Sequence, residues 1–222
     1  MVRRLVIAGA GGFAREVAWL VRDINRAGGD WDLVGFWGHP GVDECRNIGG
    51  VPVKQTGEIA QYLPELYVAV AIGDPRAKER AVGQAGDLGC RFATLIHPSV
   101  RHDDRSVTIG SGSIVCAGTV LTVDVKVGAH VIVNLGCTVG HDSVIEDLVT
   151  LSPGCHLSGR TTVCRGAFMG TGAVTIEKRT IGAGATVGAG AVVVNDVPPG
   201  ATAIGVPARV KDEATAPRKQ QK

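Results

Sequence analysis

A chain of 222 residues with a formal charge of +2 is long enough for one or two packed domains, and its near neutrality offers nucleic acid or an anionic membrane nothing to hold. Glycine supplies 32 residues and aromatics only 4% of the chain, the former roughly twice its usual share, so any core must be built from small and branched aliphatic side chains. There is no Gly-X-Y period to suggest collagen. A hydrophobic content of 45% excludes disorder, and no run reaches the ~20 apolar residues of a membrane helix.

The start, MVRRLVIAGAGGFAREV, has the charged-then-apolar opening of a signal peptide. Its apolar stretch is short, broken by glycine and followed at once by Arg15 and Glu16, so it reads instead as a strand over 5–8 and a turn. Val17, Leu20, Val21 and Ile24 then recur at helical spacing. A second strand covers Leu33–Phe36, a third runs from Tyr67 to Ile72, and a helix is expected over 76–89. Strand, glycine turn, helix and strand make a small parallel α/β domain over 1–92. The six cysteines (Cys45, Cys90, Cys116, Cys137, Cys155, Cys164) follow no extracellular spacing and read as free thiols of a reducing cytoplasm.

Beyond His97-Pro98 the texture changes. Every sixth residue from Ile109 to Val193 is aliphatic or Met, with Thr175 the one exception among fifteen. Two positions earlier sit small or β-branched residues such as Ser113, Thr119 and Cys137, with Arg179 the misfit, and glycine recurs just after the aliphatic at 110, 128, 140, 170, 182 and 188. A period of six suits neither a helix nor a heptad. It suits a triangular coil of three short strands per turn, with the aliphatic on the axis and glycine or asparagine easing the corners. Fifteen hexads predict about five coils, stacked by parallel pairing ~4.8 Å apart. Such a prism needs its ends covered. The N-terminal domain is expected over one end, and the segment from Pro198 to Arg209 either over the other or back along a side. Residues 212–222 are expected to fray. Cys137 and Cys155, 18 residues apart, should stack in adjacent coils as core filler.

The hexads resemble the left-handed parallel β-helix of the hexapeptide-repeat acyltransferases, and the ending AGAVVVNDVPPGATAIGVPARV resembles their last coil and exit. Handedness comes from that resemblance and not from the spacing. Together with IAGAGGFARE (7–16), VAIGDPRAKER (70–80), IHPSV (96–100) and VNLGCTVGHDSVI (133–145), the chain resembles the NeuD/PglD-like sugar acetyltransferases. The resemblance implies a Rossmann-like domain (1–92) for a nucleotide-linked sugar, a β-helix (93–211) that takes acetyl-CoA, and a homotrimer with its active site between subunits.

Acetyl transfer from a thioester needs a base for the nucleophile's proton and a donor for the oxygen that becomes negative. Histidine suits the base, because its ordinary pKa of ~6.5 lies near working pH. Of six histidines, His141 sits at a predicted corner beside Asp142. An isolated His-Asp pair is commonly just a solvated corner. The family resemblance implies that His141 is the general base and Asp142 its orienting carboxylate. It also implies an acceptor contact for Asn134, whose other reading is a stacked-amide corner, and a thioester contact for the Gly159 N–H. The rest of CoA would lie along the turns near Gly172 and Ala189 and the exit at Pro207 and Arg209. A second histidine found in a relative is replaced by Thr150, and neither His130 nor His156 is assigned its role.

GAGG opens a helix, where backbone N–H groups attract a pyrophosphate, although the full GxGxxG spacing is absent. The resemblance assigns Gly11, Gly12 and Phe13 to the nucleotide sugar, with Asp74 and Arg76 as a second loop, alternatively a turn cap. The family's acidic pair after the second strand is missing, since Gly38 and His39 stand there; Asp43 or Glu44 is the substitute. Gamma-class carbonic anhydrases use the same prism with zinc, but the His130, His141 and His156 spacings do not match their ligand pattern, so no metal is expected. The implied activity is N-acetylation of a nucleotide-linked amino-deoxysugar. O-acetylation of a sialic-acid-like sugar is the nearest rival, and a non-catalytic sugar-nucleotide-binding protein is the rival of another class.

Overall fold

The computed structural model describes residues 2–38 and 47–211. His39, Asp43, Glu44, Cys45 and the expected frayed tail at 212–222 lie outside the described residues. The chain opens with β1 (Arg3–Ala8), α1 (Gly12–Arg26) and β2 (Trp31–Trp37), then β3 (Asn47–Ile48) and β4 (Val51–Lys54). It continues through α2 (Thr56–Ala60), β5 (Tyr67–Val70), α3 (Pro75–Asp87) and β6 (Arg91–Phe92). The sheet order is β3-β4-β2-β1-β5-β6, parallel except between β3 and β4. Alternation along β1 explains the layers. Leu5 and Ile7 pack with Val17, Leu20 and Val21 of α1, whereas Val6 and Ala8 pack with Ala81 and Ala85 of α3 on the other side. The chain reverses direction across the sheet at β1 and β5, so their C-terminal ends open a crevice.

From Leu95 onward two-residue strands form three parallel faces. The first face starts with Leu95–Ile96, Ile114–Val115 and Ile132–Val133, the second with Arg101–His102, Val120–Leu121 and Thr138–Val139, and the third with Thr108–Ile109, Lys126–Val127 and Val144–Ile145. The axis is filled by the residues the hexads pick out, among them Val133, Val139, Ile145, Leu151 and Met169, each fully buried. Cys137 and Cys155 stack beside them, and their Sγ atoms donate to Ser152 O and Gly170 O at 3.3 Å.

The hexad count and the expected placing of the N-terminal domain both need correction. The prism starts at Leu95, within the span 93–211 but one coil before the first hexad counted: Ile96 pairs with Val115, His102 with Leu121 and Ile109 with Val127. An extra residue in the Asp103–Ser106 turn breaks the period there. His102 takes an inward slot because the end coil is open to water. The N-terminal domain does not simply cover the prism end. Helix α1 lies along the first face and buries the outward-pointing Ile114 and Ile132. At the far end Thr202–Ile204 continues the first face, and Arg209–Val210 returns antiparallel along it.

Beside the apolar packing of α1, the seam between the two parts contains one buried lysine. Lys78 of α3 is 1% exposed, and its Nζ donates to Val149 O at 3.0 Å and Thr150 Oγ1 at 2.8 Å. Burial pushes its ammonium from 10.5 down to about 7, against the pull of Asp74. Between those values the unfolded chain binds one more proton than the folded one, so this group makes stability rise with pH, by at most about 1.4 kcal/mol per unit. A Lys78→Met variant should therefore be the more stable at pH 7, with its advantage shrinking as pH approaches 10. Urea unfolding of both proteins across that range checks this.

Candidate active site

From Gly112 to Gly190 each prism corner is a two-residue turn whose second residue is left-handed. At the corner between the first and second faces that residue is glycine, as at Gly136 and Gly154. At the corner between the second and third faces it is Asp124, Asp142, Arg160 or Lys178, with φ from 55° to 58°. Arg and Lys visit this conformation seldom, at a cost of about 1–2 kcal/mol each. The chain thus keeps side chains at all four of these corners, whereas the edge between the third and first faces mixes His130 and Leu148 with glycines.

The edge between the second and third faces carries His141, the first residue of its turn. Its Nδ1 lies 2.7 Å from Asp142 Oδ2, and the ring is 48% exposed. A carboxylate partner fixes the proton on Nδ1 and leaves the Nε2 lone pair free. The next coil cradles the pair from below. The Arg160 N–H donates to the His141 carbonyl at 2.7 Å, and Arg160 Nε stands 3.6 Å from Asp142 Oδ2. A methyl placed on Gly159 would lie 2.5 Å from His141 Nε2, so this glycine is space the imidazole occupies. Among the described residues, no acceptor takes the Gly159 N–H. The hydrogen bond from His141, aided by the charges of the imidazole and Arg160, holds the Asp142 carboxyl below the usual carboxylate range. This carboxylate is therefore charged at neutral pH. Asp142→Asn should lower kcat/KM, because an uncharged amide no longer stabilises the imidazolium formed as the proton is taken. Steady-state kinetics of the variant measure the loss.

A second group of predicted residues converges elsewhere. Phe13, Asp74, Arg76 and Asn134 line a cavity of about 950 Å³ between the start of α3 and the first face. Asp74 is also the cap of α3, its Oδ1 accepting from Ala77 N at 2.7 Å, so the turn-cap and pocket readings hold together. Asn134 Oδ1 accepts from Leu135 N at 2.7 Å, leaving its NH2 group free for a ligand. Gly11 caps α1 and Gly12 opens it; neither lines this cavity. The sequence reading missed the prism wall of the pocket, Thr150, Ser152 and Phe168, and its rim, where Arg165 pairs with Glu79 at 2.8 Å. A signal existed for Phe168, the lone aromatic between residues 109 and 193.

The single chain does not bring the two groups together. His141, Asp142 and Gly159 are absent from the cavity wall, and the strand Thr138–Val139 separates the Asn134 corner from the His141 corner. Gly172 and Ala189 lie on the Asn134 edge, opposite Gly159 across the second face, whereas Pro207 and Arg209 follow the last coil. A smaller cavity of about 440 Å³ opens at the C-terminal ends of β1, β2 and β5, lined by Gly9, Trp37, Gly38, Ile72, Gln84 and Leu88 among others.

Known proteins resemble this chain over most of its length. The profile of the PglD N-terminal domain matches residues 4–85. The GDP-perosamine N-acetyltransferase of Escherichia coli O157:H7 is 33% identical over 175 residues, 76% of each chain. The acetyltransferase domain of PglB from Neisseria gonorrhoeae FA1090, solved with acetyl coenzyme A, superposes with a TM-score of 0.85 at 34% identity over 95% of this chain and 100% of that one. PerB from Caulobacter crescentus, solved with CoA and GDP-perosamine, gives 0.84 at 35% identity over 96% and 99%.

Proposed function

The chain belongs to the PglD-like sugar N-acetyltransferases, and from that premise we propose how its residues carry out the transfer. The protein is an acetyl-CoA-dependent N-acetyltransferase of a nucleotide-linked amino sugar, built from a mixed α/β domain and a left-handed β-helix. We assign acceptor nucleotide binding to residues 1–92 and acetyl transfer to residues 93–211.

The observation that carries the mechanism is the His141–Asp142 pair seated on Gly159. The acceptor amine attacks the thioester carbonyl as His141 Nε2 takes its proton. Asp142, bonded to Nδ1, holds the ring and stabilises its charged form. The oxygen of the tetrahedral intermediate accepts from the uncommitted Gly159 N–H. The C–S bond then breaks, the C–N bond remains, and the imidazolium returns its proton to the departing CoA thiolate. No covalent enzyme intermediate is needed.

The acceptor sugar fits the 950 Å³ cavity, among Phe13, Asp74, Arg76 and Asn134, with its diphosphate towards the α1 start at Gly11 and Gly12. Its nucleoside fits the smaller cavity beside Trp37, at the reversal point of the sheet. Base and acceptor pocket sit on different edges of one prism, so a complete site needs a second copy. We infer a homotrimer in which the His141 edge of one subunit faces the pocket of the next, with CoA running along Gly172 and Ala189 towards Pro207 and Arg209. No helix among the described residues is long and apolar enough to cross a membrane. We assign the enzyme to the cytoplasm on its need for acetyl-CoA.

The test is CoA release from acetyl-CoA across a panel of nucleotide-linked amino sugars led by GDP-perosamine, with sedimentation to count subunits. Acetylation of an amine by a trimer is expected. Turnover on hydroxyl acceptors alone, or full activity from a monomer, would overturn the reading.

A further inference from the structure

Lys78 poses an energetic question that its fold role does not answer. A lysine buried to 1% exposure is costly unless a charge pairs with it, yet its Nζ bonds only neutral groups, Val149 O and Thr150 Oγ1. An apolar residue of similar volume in such a place is commonly neutral or stabilising. Stability alone therefore gives no reason for a lysine here.

Its position does. Lys78 lies on the first turn of α3, where its N–H donates to Asp74 O at 2.8 Å. That turn forms one wall of the acceptor cavity with Gly73, Asp74 and Arg76. The residue it grips, Thr150, forms the opposite wall with Asn134 and Phe168. Those two walls are 72 positions apart in sequence. The other bridge between them, Arg165 to Glu79, is more than half exposed on both sides and contributes little.

We propose that Lys78 is a positioning residue for the acceptor pocket: its ammonium pins the first turn of α3 to the prism at Thr150 and so sets the distance from Asp74 and Arg76 to Asn134. This rests on the reading of that cavity as the acceptor site. Two directed hydrogen bonds to consecutive residues hold the turn against the first face, which a methyl or methylene contact would not do. The burial that lowers the ammonium to about 7 is the thermodynamic cost of that fixation.

The experiment compares wild type with Lys78→Met, Lys78→Arg and Thr150→Val, the last removing one of the two bonds without touching α3. Steady-state kinetics use GDP-perosamine or whichever panel sugar is turned over. Lys78→Met should raise KM for the sugar about tenfold, the loss expected for a charged hydrogen bond, with KM for acetyl-CoA within twofold and thermal stability equal or higher. Lys78→Arg should recover most of the sugar KM, and Thr150→Val should fall between. Hydrogen exchange at the Ala77 and residue-78 amides reads the loosening whether or not a sugar is turned over, and should quicken at least tenfold in Lys78→Met. Should wild type acetylate no amino sugar, the acceptor reading fails while exchange still judges the tether. Wild-type exchange rates in Lys78→Met overturn the tether. An unchanged sugar KM in an active enzyme overturns its role in positioning. If Lys78→Met does not fold, hydrogen exchange in Thr150→Val decides the tether and the sugar KM of Lys78→Arg decides the positioning, since Thr150 itself lines the cavity.

Discussion

His141→Asn should leave the protein folded and lower kcat/KM for the amino sugar by about a thousandfold, within the 10²–10⁴ that a positioned base contributes. The ring is half exposed on a corner, and no core contact depends on it, so the melting temperature should hardly move. Asparagine keeps a polar group beside Asp142 but has no basic lone pair near Nε2. The amine must then lose its proton to water. Binding of acetyl-CoA should survive, because none of the pantetheine-side turns at Gly172 and Ala189 is altered. The informative measurement pairs turnover with acetyl-CoA affinity. Lost turnover with retained affinity isolates proton transfer as the step removed, whereas turnover near the wild-type rate would remove His141 from the mechanism.

Gly159→Ala is the sharper test, because it adds a single methyl and removes no polar atom. The backbone of Gly159 lies outside the left-handed region, so alanine brings no backbone strain. The new methyl would stand 2.5 Å from Nε2, 2.7 Å from Cε1 and 3.0 Å from Cδ2 of His141. The other atoms near it belong to the flexible imidazole, which must swing outward. The Nδ1–Asp142 bond of 2.7 Å would then break or lengthen, and Nε2 would move by about 1 Å. Misplacement on that scale costs on the order of a hundredfold in rate. Unfolding by heat should shift little, since the displaced ring goes into water. A large loss of stability with normal kcat would show that Gly159 serves the coil and not the base. The contrast with His141→Asn is in residual turnover: the alanine variant keeps an imidazole at position 141, so it should retain more activity than the asparagine variant.

The fold was legible where one physical constraint repeats. The axis of a three-sided coil accepts one aliphatic side chain per face, so the period of six from Ile109 to Val193 specifies the prism almost without context. It failed at the first coil for two local reasons. The Asp103–Ser106 turn adds a residue, and an end coil exposed to water tolerates His102 where an inner coil requires Leu121. The short pieces β3, β4 and α2 had too few residues to show any period. The covering of the prism was misjudged because Ile114 and Ile132 look like ordinary outward strand residues until α1 is laid on them.

The site divides in the same way. His141 and Asp142 are neighbours in the chain, so their pairing could be read from two letters and a corner. The resemblance to sugar acetyltransferases pointed to Phe13, Asp74, Arg76 and Asn134 separately, but nothing in their spacing joins residues 121 apart. Docking of α3 and α1 on the first face made them one cavity, and the same docking set the base on another edge. Lys78 was the least visible: within RAKER it reads as one more solvated helix charge. Local sequence determined the elements, the axial core and the His141–Asp142 pair, because each depends on near neighbours or a fixed repeat. Only the tertiary structure decided which surfaces face one another, because burial at the seam depends on packing between segments that share no period and lie some seventy residues apart.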